Sequence, residues 1–405
     1  MSAEPVGLPT RRTHIFDPPP ELAAVRAQQP VCPLRLPDGT EGWLVTGHAE
    51  TRQVLADPRF SARQDVRRVP PGAPSPPPAT PGFFVRMDPP DHTRYRRLVA
   101  AHFSRRRLRD LVPVITAITD RQLDAIEAHG PPADLVELFG MPIPALVVGE
   151  ILGVTDVDRD QFQADSQTAV DLRASPAEVA EAIGSITRLL GDLVARKQRD
   201  PGPDLLSALL ADGELTAAEV TAMGFLLLVA GHETTANMAT LAVFALLCHP
   251  GRLAEFRAAL AAEPDHGLGE DGTGAAGRAV DELLRYATIN QFGAMRVPLV
   301  DVELAGQRLQ AGDSVILSLP AANRDPRCYA EPDRLRLDRA EAGHLSFGHG
   351  AHLCTGHQLA RLELRIMLAR LFTRFAGLRL AVTPQQVPLR TEMSIYGVAQ
   401  LPVTW

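Results

Sequence analysis

The sequence predicts a mainly helical chain with a few short strands and no dividing linker, and three observations carry that expectation. Two capping boxes, Ser175-Pro176-Ala177-Glu178 and Thr216-Ala217-Ala218-Glu219, each open a long run of helix-forming residues; in such a box the N-cap hydroxyl and the Glu three positions on satisfy each other's backbone N–H groups. The second run continues without proline to about Cys248, which at 1.5 Å per residue predicts a helix of roughly 45–50 Å, long enough to cross a domain. Extended pattern is confined to short stretches: Leu34–Leu36 and Gly42–Val45 flank a turn at Pro37-Asp38-Gly39, and the chain alternates from Leu304 to Leu319. These read as a hairpin and as paired strands.

With 405 residues the length alone would allow two or three domains. No linker interrupts the pattern, so one domain over residues 1–405 is expected. Hydrophobic and charged fractions of 45% and 22% are those of an ordinary globular protein, and a net charge of −7 argues against general binding to nucleic acid. Cys32, Cys248, Cys328 and Cys354 form no C-x-x-C pair, nothing reads as a signal peptide, and no apolar stretch is long enough to span a bilayer. Free thiols in a reducing cytoplasm, without a membrane anchor, are the expectation.

In chain order, a short helix is predicted at Glu50 to Ala56, followed by a proline-dense segment from Pro70 to Pro90 that carries Phe83, Phe84 and Met87. A loop this long is either functional or disordered; the apolar trio predicts one folded over something greasy. Asp91 to Phe103 reads as a helix with His92 and Arg96 on one face. From Arg105 to about Asp200 the pattern is helical, broken at Gly130-Pro131-Pro132 and Gly140-Met141-Pro142.

In the central helix the apolar run Phe225–Val229 gives way to Ala230-Gly231-His232-Glu233-Thr234. An interior Gly costs up to about 1 kcal/mol against Ala, and a carboxylate beside a buried run is costly too. A local bulge carrying a polar proton path would account for both. Gly267-Leu268-Gly269-Glu270-Asp271-Gly272 matches G-x-G-x-x-G but follows a helix, and its two carboxylates would repel a pyrophosphate. It reads as a flexible acidic loop, so the chain cannot take electrons from a nicotinamide nucleotide by itself. Glu282 and Arg285 form an E-x-x-R pair on a helix, and a last helix runs from Thr355 to about Phe375. The last helix carries Arg361, Arg365, Arg370 and Arg374; a solvated face is the default, and with Arg105, Arg106 and Arg107 they would make a positive surface.

The most informative stretch is Phe347-Gly348-His349-Gly350-Ala351-His352-Leu353-Cys354-Thr355-Gly356. Cys354 lies at the mouth of a helix, where N–H groups and the macrodipole lower a thiol's pKa. Gly348, Gly350 and Gly356 let a flat body lie against the backbone, and Phe347 offers a ring to cover one side. A lone Cys in such a turn is ordinarily a buried free thiol. This one sits in F-x-x-G-x-H-x-C-x-G, which resembles the haem-binding loop of the cytochrome P450 family. The resemblance extends over the chain: Ala230, Gly231, Glu233 and Thr234 fit the family's [A/G]-G-x-[D/E]-T, Glu282-x-x-Arg285 its E-x-x-R, and His92-x-x-x-Arg96 after Asp88-Pro89-Pro90 its H-x-x-x-R. Thr355 and Leu335 depart from it, standing where Leu and Phe are expected.

The resemblance implies a single-domain cytochrome P450 fold, mainly α with small β-sheets, holding haem b (iron protoporphyrin IX). Cys354 would be the axial iron ligand; Phe347, Gly348, Gly356, Ala230 and Gly231 would lie against the haem; His92, Arg96, Arg296 and His352 would hold its propionates. It implies proton delivery by Glu233 and Thr234, and a structural cluster of Glu282, Arg285 and Arg334. The implied reaction inserts one atom of dioxygen into a C–H or double bond of a hydrophobic small molecule. A catalytically silent haem protein and a peroxide-driven oxygenase are the alternatives on this fold. Phe83, Phe84, Met87, Leu226, Val229, Ala230, Ile289, Phe292 and Ile395 suggest an apolar pocket, with Asn290, Gln291 and Tyr396 as polar anchors. Phe16-Asp17-Pro18-Pro19-Pro20 and Leu401-Pro402-Val403-Thr404-Trp405 resemble actinobacterial members that oxidise macrolides, terpenoids or drug-like polyketides. A monomer served by a ferredoxin and its NAD(P)H-dependent ferredoxin reductase is implied.

Overall fold

An apolar helix hydrophobic on every side has to be covered on every side, and the helix after Thr216 sets the architecture in that way. The computed structural model describes residues 5–36, 39–70, 72, 74–154, 159–171, 173–263, 274–340 and 343–405. Its helices are α1 (Pro20–Gln28), α2 (His48–Ala56), α3 (Asp91–Ala100), α4 (Arg105–His129), α5 (Pro142–Leu152), α6 (Arg159–Val170) and α7 (Pro176–Arg199). They continue with α8 (Leu205–Asp212), α9 (Ala217–Cys248), α10 (Pro250–Ala262), α11 (Ala275–Tyr286), α12 (Leu319–Ala322) and α13 (His357–Arg374). Both predicted capping boxes are formed, at Ser175 and at Thr216. In α9, Ala239, Leu241, Val243, Phe244, Ala245 and Leu246 have no exposed surface, and α5, α7 and α13 pack around it. The helix runs unbroken through Gly231 and Glu233, so the expected bulge is absent: the polar residues are accommodated by packing and side-chain bonds rather than by a register break.

The strands are β1 (Val6–Gly7), β2 (Val31–Arg35), β3 (Glu41–Val45), β4 (Phe60–Ser61), β5 (Ala133–Asp134) and β6 (Ala294–Pro298). Further on come β7 (Val302–Leu304), β8 (Gln307–Leu309), β9 (Ser314–Leu317), β10 (Arg379–Leu380) and β11 (Pro402–Thr404). The hairpin of β2 and β3 is antiparallel, with Val31 opposite Val45 and Arg35 opposite Glu41; Pro37 and Asp38 of its turn lie outside the described residues. The strand order β1-β2-β3-β9-β6-β4 places Arg296 inside the main sheet. β10-β11-β5 and β7-β8 make two smaller sheets. Leu389 bridges Val398, and the turn they close pairs with residues 289–291 through Tyr396 N–H to the Ile289 carbonyl (2.7 Å) and Gln291 N–H to the Ser394 carbonyl (3.1 Å). The predicted acidic loop at Gly267–Gly272 lies outside the described residues. Among those described, no helix is long and apolar enough to cross a membrane.

The charges of the last helix differ from expectation. Arg361 pairs with Asp281 (2.6 Å), Arg370 with Asp120 (2.7 Å), and Arg374 with Asp124 (2.7 Å) and Glu127, while Arg365 is buried. Asp120, Asp124 and Glu127 lie one turn apart along α4, so a predicted positive face is spent on joining two helices. Arg105, Arg106 and Arg107 remain exposed. The one lysine in the sequence, Lys197, is also committed: its Nζ lies 2.6 Å from Asp204 Oδ2, with both side chains nearly buried.

Glu282 and Arg285 form the expected pair, Nε to Oε2 at 2.7 Å and both fully buried, but the third member is Arg339 and not Arg334. Arg334 points to solvent and pairs with Glu331, contributing only its carbonyl to the cluster. Arg339 reaches back with Nε to Glu282 Oε2 at 3.0 Å and places its other nitrogens on the carbonyls of Ala330, Glu331 and Arg334. Removing one partner of a buried ion cluster strands the others, at about 3–5 kcal/mol. Arg339→Ala is therefore expected to lower the denaturant midpoint by that order, whereas Arg334→Ala leaves it essentially where it was; equal effects would contradict the assignment.

Candidate active site

The loop before α13 is held from below. Asn323 accepts from the Leu345 N–H (2.7 Å) and donates to Ser346 Oγ (2.9 Å), which itself donates to the Leu284 carbonyl (2.8 Å). Gly348 and Gly350 both take positive φ, at 73° and 71°. At Gly350 a Cβ would stand 2.4 Å from the Leu55 carbonyl oxygen, so only glycine lets the loop rest on the end of α2. The Cys354 N–H closes the loop on the Phe347 carbonyl (2.9 Å), and the Phe347 ring lies under the Arg361 guanidinium at 4.7 Å. Gly356 caps α13, and its N–H bonds the Cys354 sulfur.

Cys354 presents exposed surface to a cleft while the rest of its surroundings are protein. Burial pushes its thiol up; the Gly356 N–H, Arg96 and Arg361 oppose this without reversing it. The depressed thiol pKa expected from a helix mouth is thus not found, because desolvation outweighs the N–H and the two guanidinium groups. Such a sulfur becomes an anion once a metal cation takes the proton's place.

Around it converge the predicted propionate ligands. The rings of His92 and His352 lie 4.1 Å apart, and burial, with Arg296, His92 and Arg96 beside it, drives the His352 pKa down to about 3. His92 is buried, with Nε2 lacking a partner. Arg96 donates to Thr355 Oγ1 (3.2 Å) and Arg296 to the Met295 carbonyl (2.8 Å); burial lowers both guanidinium pKa values. The nearby Asp88 is engaged by Ser61 Oγ and the Ala62 N–H. Two arginines and two imidazoles crowded beside a thiol, with no carboxylate among the described residues bonded to any of them, fit a group that brings its own anions, as an iron porphyrin does.

On α9, Ala230 is exposed and Thr234 half-buried in the middle of an otherwise covered helix, so this stretch is left open. Thr234 Oγ1 donates to the Ala230 carbonyl at 2.6 Å. Glu233 is buried: Oε2 accepts from Asn237 Nδ2 (3.0 Å) and Arg390 Nη1 (3.4 Å), while Oε1 has no partner. Burial raises its pKa, opposed by Arg390 and Asn237. A Cβ at Gly231 would meet Val148 Cγ2 at 3.3 Å, so the glycine lets α9 pack closely on α5.

The predicted pocket residues separate. Phe83, Met87 and Val229 are half-buried beside the cluster that contains Phe84 and Leu226, with Phe83 and Phe225 rings 6.3 Å apart. Ile289, Asn290, Phe292 and Ile395 are half-buried on the opposite, strand side, where Asn290 bridges Ile395. Phe84 is covered by core. Tyr396 is no anchor for a ligand: it is buried, donates to the Ile15 carbonyl (2.6 Å) and lies under the Arg12 guanidinium (3.8 Å). Gln291 is likewise occupied by the carbonyls of Thr391 and Met393 and by Arg12. Arg339, Asn237 and Arg390 escaped the sequence reading. Asn237, one turn from Glu233, was open to a spacing argument; the arginines come from remote segments and carry no local signal.

The sequence profile of the family described as Cytochrome P450 matches residues 187–403. Cytochrome P450 105C1 of a Streptomyces species is 43% identical over 404 residues, covering 100% of this chain and 99% of that protein. The nocardicin C N-oxygenase of Nocardia uniformis subsp. tsuyamanensis is 41% identical, with 95% of each chain covered. Among solved structures, that of CYP105P1 in complex with filipin I superposes with a TM-score of 0.90 at 39% identity, covering 99% of each chain.

His232 offers a test that needs no ligand. Its ring is buried against the Met141 carbonyl, and burial holds its pKa at about 4 against an ordinary 6.5. Below pH 6.5 the unfolded chain binds a proton that the folded one refuses, so stability is complete above that pH and falls as pH drops towards 4. The loss reaches about 3 kcal/mol at full effect. Urea titrations are expected to show this slope between pH 6.5 and 4 and to show it flattened in His232→Gln.

Proposed function

The chain belongs to the cytochrome P450 family, and on that premise we propose how its own residues carry out the haem-dependent monooxygenation typical of such enzymes. Haem, when bound, supplies the activation of dioxygen and its insertion into a C–H bond or double bond. Cys354 holds the iron as thiolate. His92, Arg96, Arg296 and His352 would hold the propionates, and Phe347, Gly348, Gly356 and Ala230 would lie against the ring. The convergence of these donors on one thiol is the observation that carries the reading.

Proton delivery falls to Thr234 and Glu233. The Thr234 hydroxyl is held at a fixed place by its bond to the Ala230 carbonyl. Glu233 keeps one oxygen without a protein partner, able to take up a proton through water and pass it on. Phe83, Met87, Leu226 and Val229 on one side and Ile289, Asn290, Phe292 and Ile395 on the other suit a bulky hydrophobic molecule. A polyketide or macrolide, a terpenoid or a drug-like compound of secondary metabolism fits that lining. The filipin I bound by one relative and the nocardicin C oxidised by another support a natural product as substrate. Electrons would come from a ferredoxin, reduced by its NAD(P)H-dependent reductase, docking near Arg105, Arg106 and Arg107. The enzyme is read as a cytoplasmic monomer of one domain.

Two measurements test this. The reduced, CO-bound protein is expected to show the strongly red-shifted Soret band of thiolate ligation, and Cys354→Ala to lose it; a variant keeping that spectrum would refute the ligand. Thr234→Ala is expected to consume reductant at an undiminished rate while product per electron falls roughly tenfold or more. Unchanged product yield would remove Thr234 from the relay.

A further inference from the structure

We infer that Arg390, on the turn closed by Leu389 and Val398, is a positioning residue for proton delivery, holding the Glu233 carboxylate by one oxygen and leaving the other free to exchange. The inference rests on the reading of Glu233 as a relay group. Its warrant is an asymmetry. Glu233 is almost wholly enclosed, and both of its side-chain bonds fall on Oε2, from Asn237 at 3.0 Å and Arg390 at 3.4 Å. Oε1 is buried with no partner. Glu282, in the structural cluster, is held otherwise, with both oxygens doubly bonded.

The turn is built to bring Arg390 there. Its N–H bonds the Gly397 carbonyl (2.9 Å), and Gly397 lies so close to Asn237 that a Cβ would stand 2.1 Å from Asn237 Oδ1. Asn237 Nδ2 also bonds the Glu233 carbonyl (2.8 Å), which locks the amide and with it the Glu233 rotamer. The charged group acting on Glu233 is Arg390; Arg390 in turn acts on Asp171, itself paired with Arg173, and on His232, whose ring faces the Met141 carbonyl. A guanidinium keeps its charge at any working pH and gives up no proton, so Arg390 fixes the acceptor without competing for the proton. The step is a plain transfer: the Glu233 carboxylate takes up one proton from solvent at Oε1 and passes it on towards the cleft, returning to the carboxylate with no change in oxidation state.

The experiment compares Arg390→Gln, Arg390→Lys, Glu233→Gln and the Arg390→Gln/Glu233→Gln double variant in the haem-loaded enzyme. With the cation gone, Glu233 should be protonated at neutral pH, seen as a carboxylic-acid C=O stretch in infrared difference spectra that the double variant lacks. Product per electron should fall as far as in Glu233→Gln, with no further fall in the double variant, and the pH limb belonging to Glu233 should move up by about one unit or more. Arg390→Lys should restore both, while the CO-bound spectrum and the substrate-induced spin shift stay as in the parent. If Arg390→Gln matches the parent in yield and pH limb while Glu233→Gln does not, Arg390 has no such role and the relay stands. If Glu233→Gln also leaves yield unchanged, both fall. The parent alone gives a second reading should Arg390→Gln fail to fold: the acid band abolished by Glu233→Gln must be absent at neutral pH, and its presence there overturns the inference.

Discussion

A carboxylate shut away from water is costly unless its oxygens are bonded by the protein, and Glu282 meets that condition with two bonds from Arg285, one from the Arg336 N–H and one from Arg339. The position of the cysteine loop depends on that arrangement. Arg285 also grips the carbonyls of Asn323 and Pro332, at 2.8 Å each. Asn323, so held, presents its side chain to Thr288, Leu345 and Ser346. Two residues later the Phe347 carbonyl receives the Cys354 N–H. A saturated ion cluster thereby passes its rigidity to the sulfur through a short run of hydrogen bonds, each made because leaving it unmade in a dry interior would be costly.

The fold treats its other buried polar groups differently. At His92, His352, Arg96 and Arg296, donors outnumber the acceptors the chain offers. At Glu233, acceptor capacity is left over. Both are poor bargains for stability. The difference between Glu282 and Glu233 is a matter of how many bonds each is allowed.

Much of this was legible along the chain because the relevant physics is local. Capping boxes at Ser175 and Thr216, the hairpin of Val31–Val45 and the helical pair at Glu282 and Arg285 depend on residues a few positions apart. The cysteine loop was equally readable from its spacing. What escaped depended on distance. Choosing Arg339 over Arg334 required knowing which side chain turns back after Glu331, a non-glycine residue at a φ of 45°. Assigning Tyr396 and Gln291 to a pocket overlooked the N-terminal segment, whose Arg12 and Ile15 claim them across hundreds of residues. Arg370 and Arg374 looked free because their acidic partners lie some 250 positions away on α4.

The burial of Lys197 has a consequence beyond stability. The exterior carries its positive charge on arginine, with no side-chain ammonium in the sequence left to present. Reagents that acylate or cross-link amines therefore find their sole side-chain target locked beneath Asp204, and any partner that recognises the protein by its cations must do so through planar, fork-shaped groups that do not titrate.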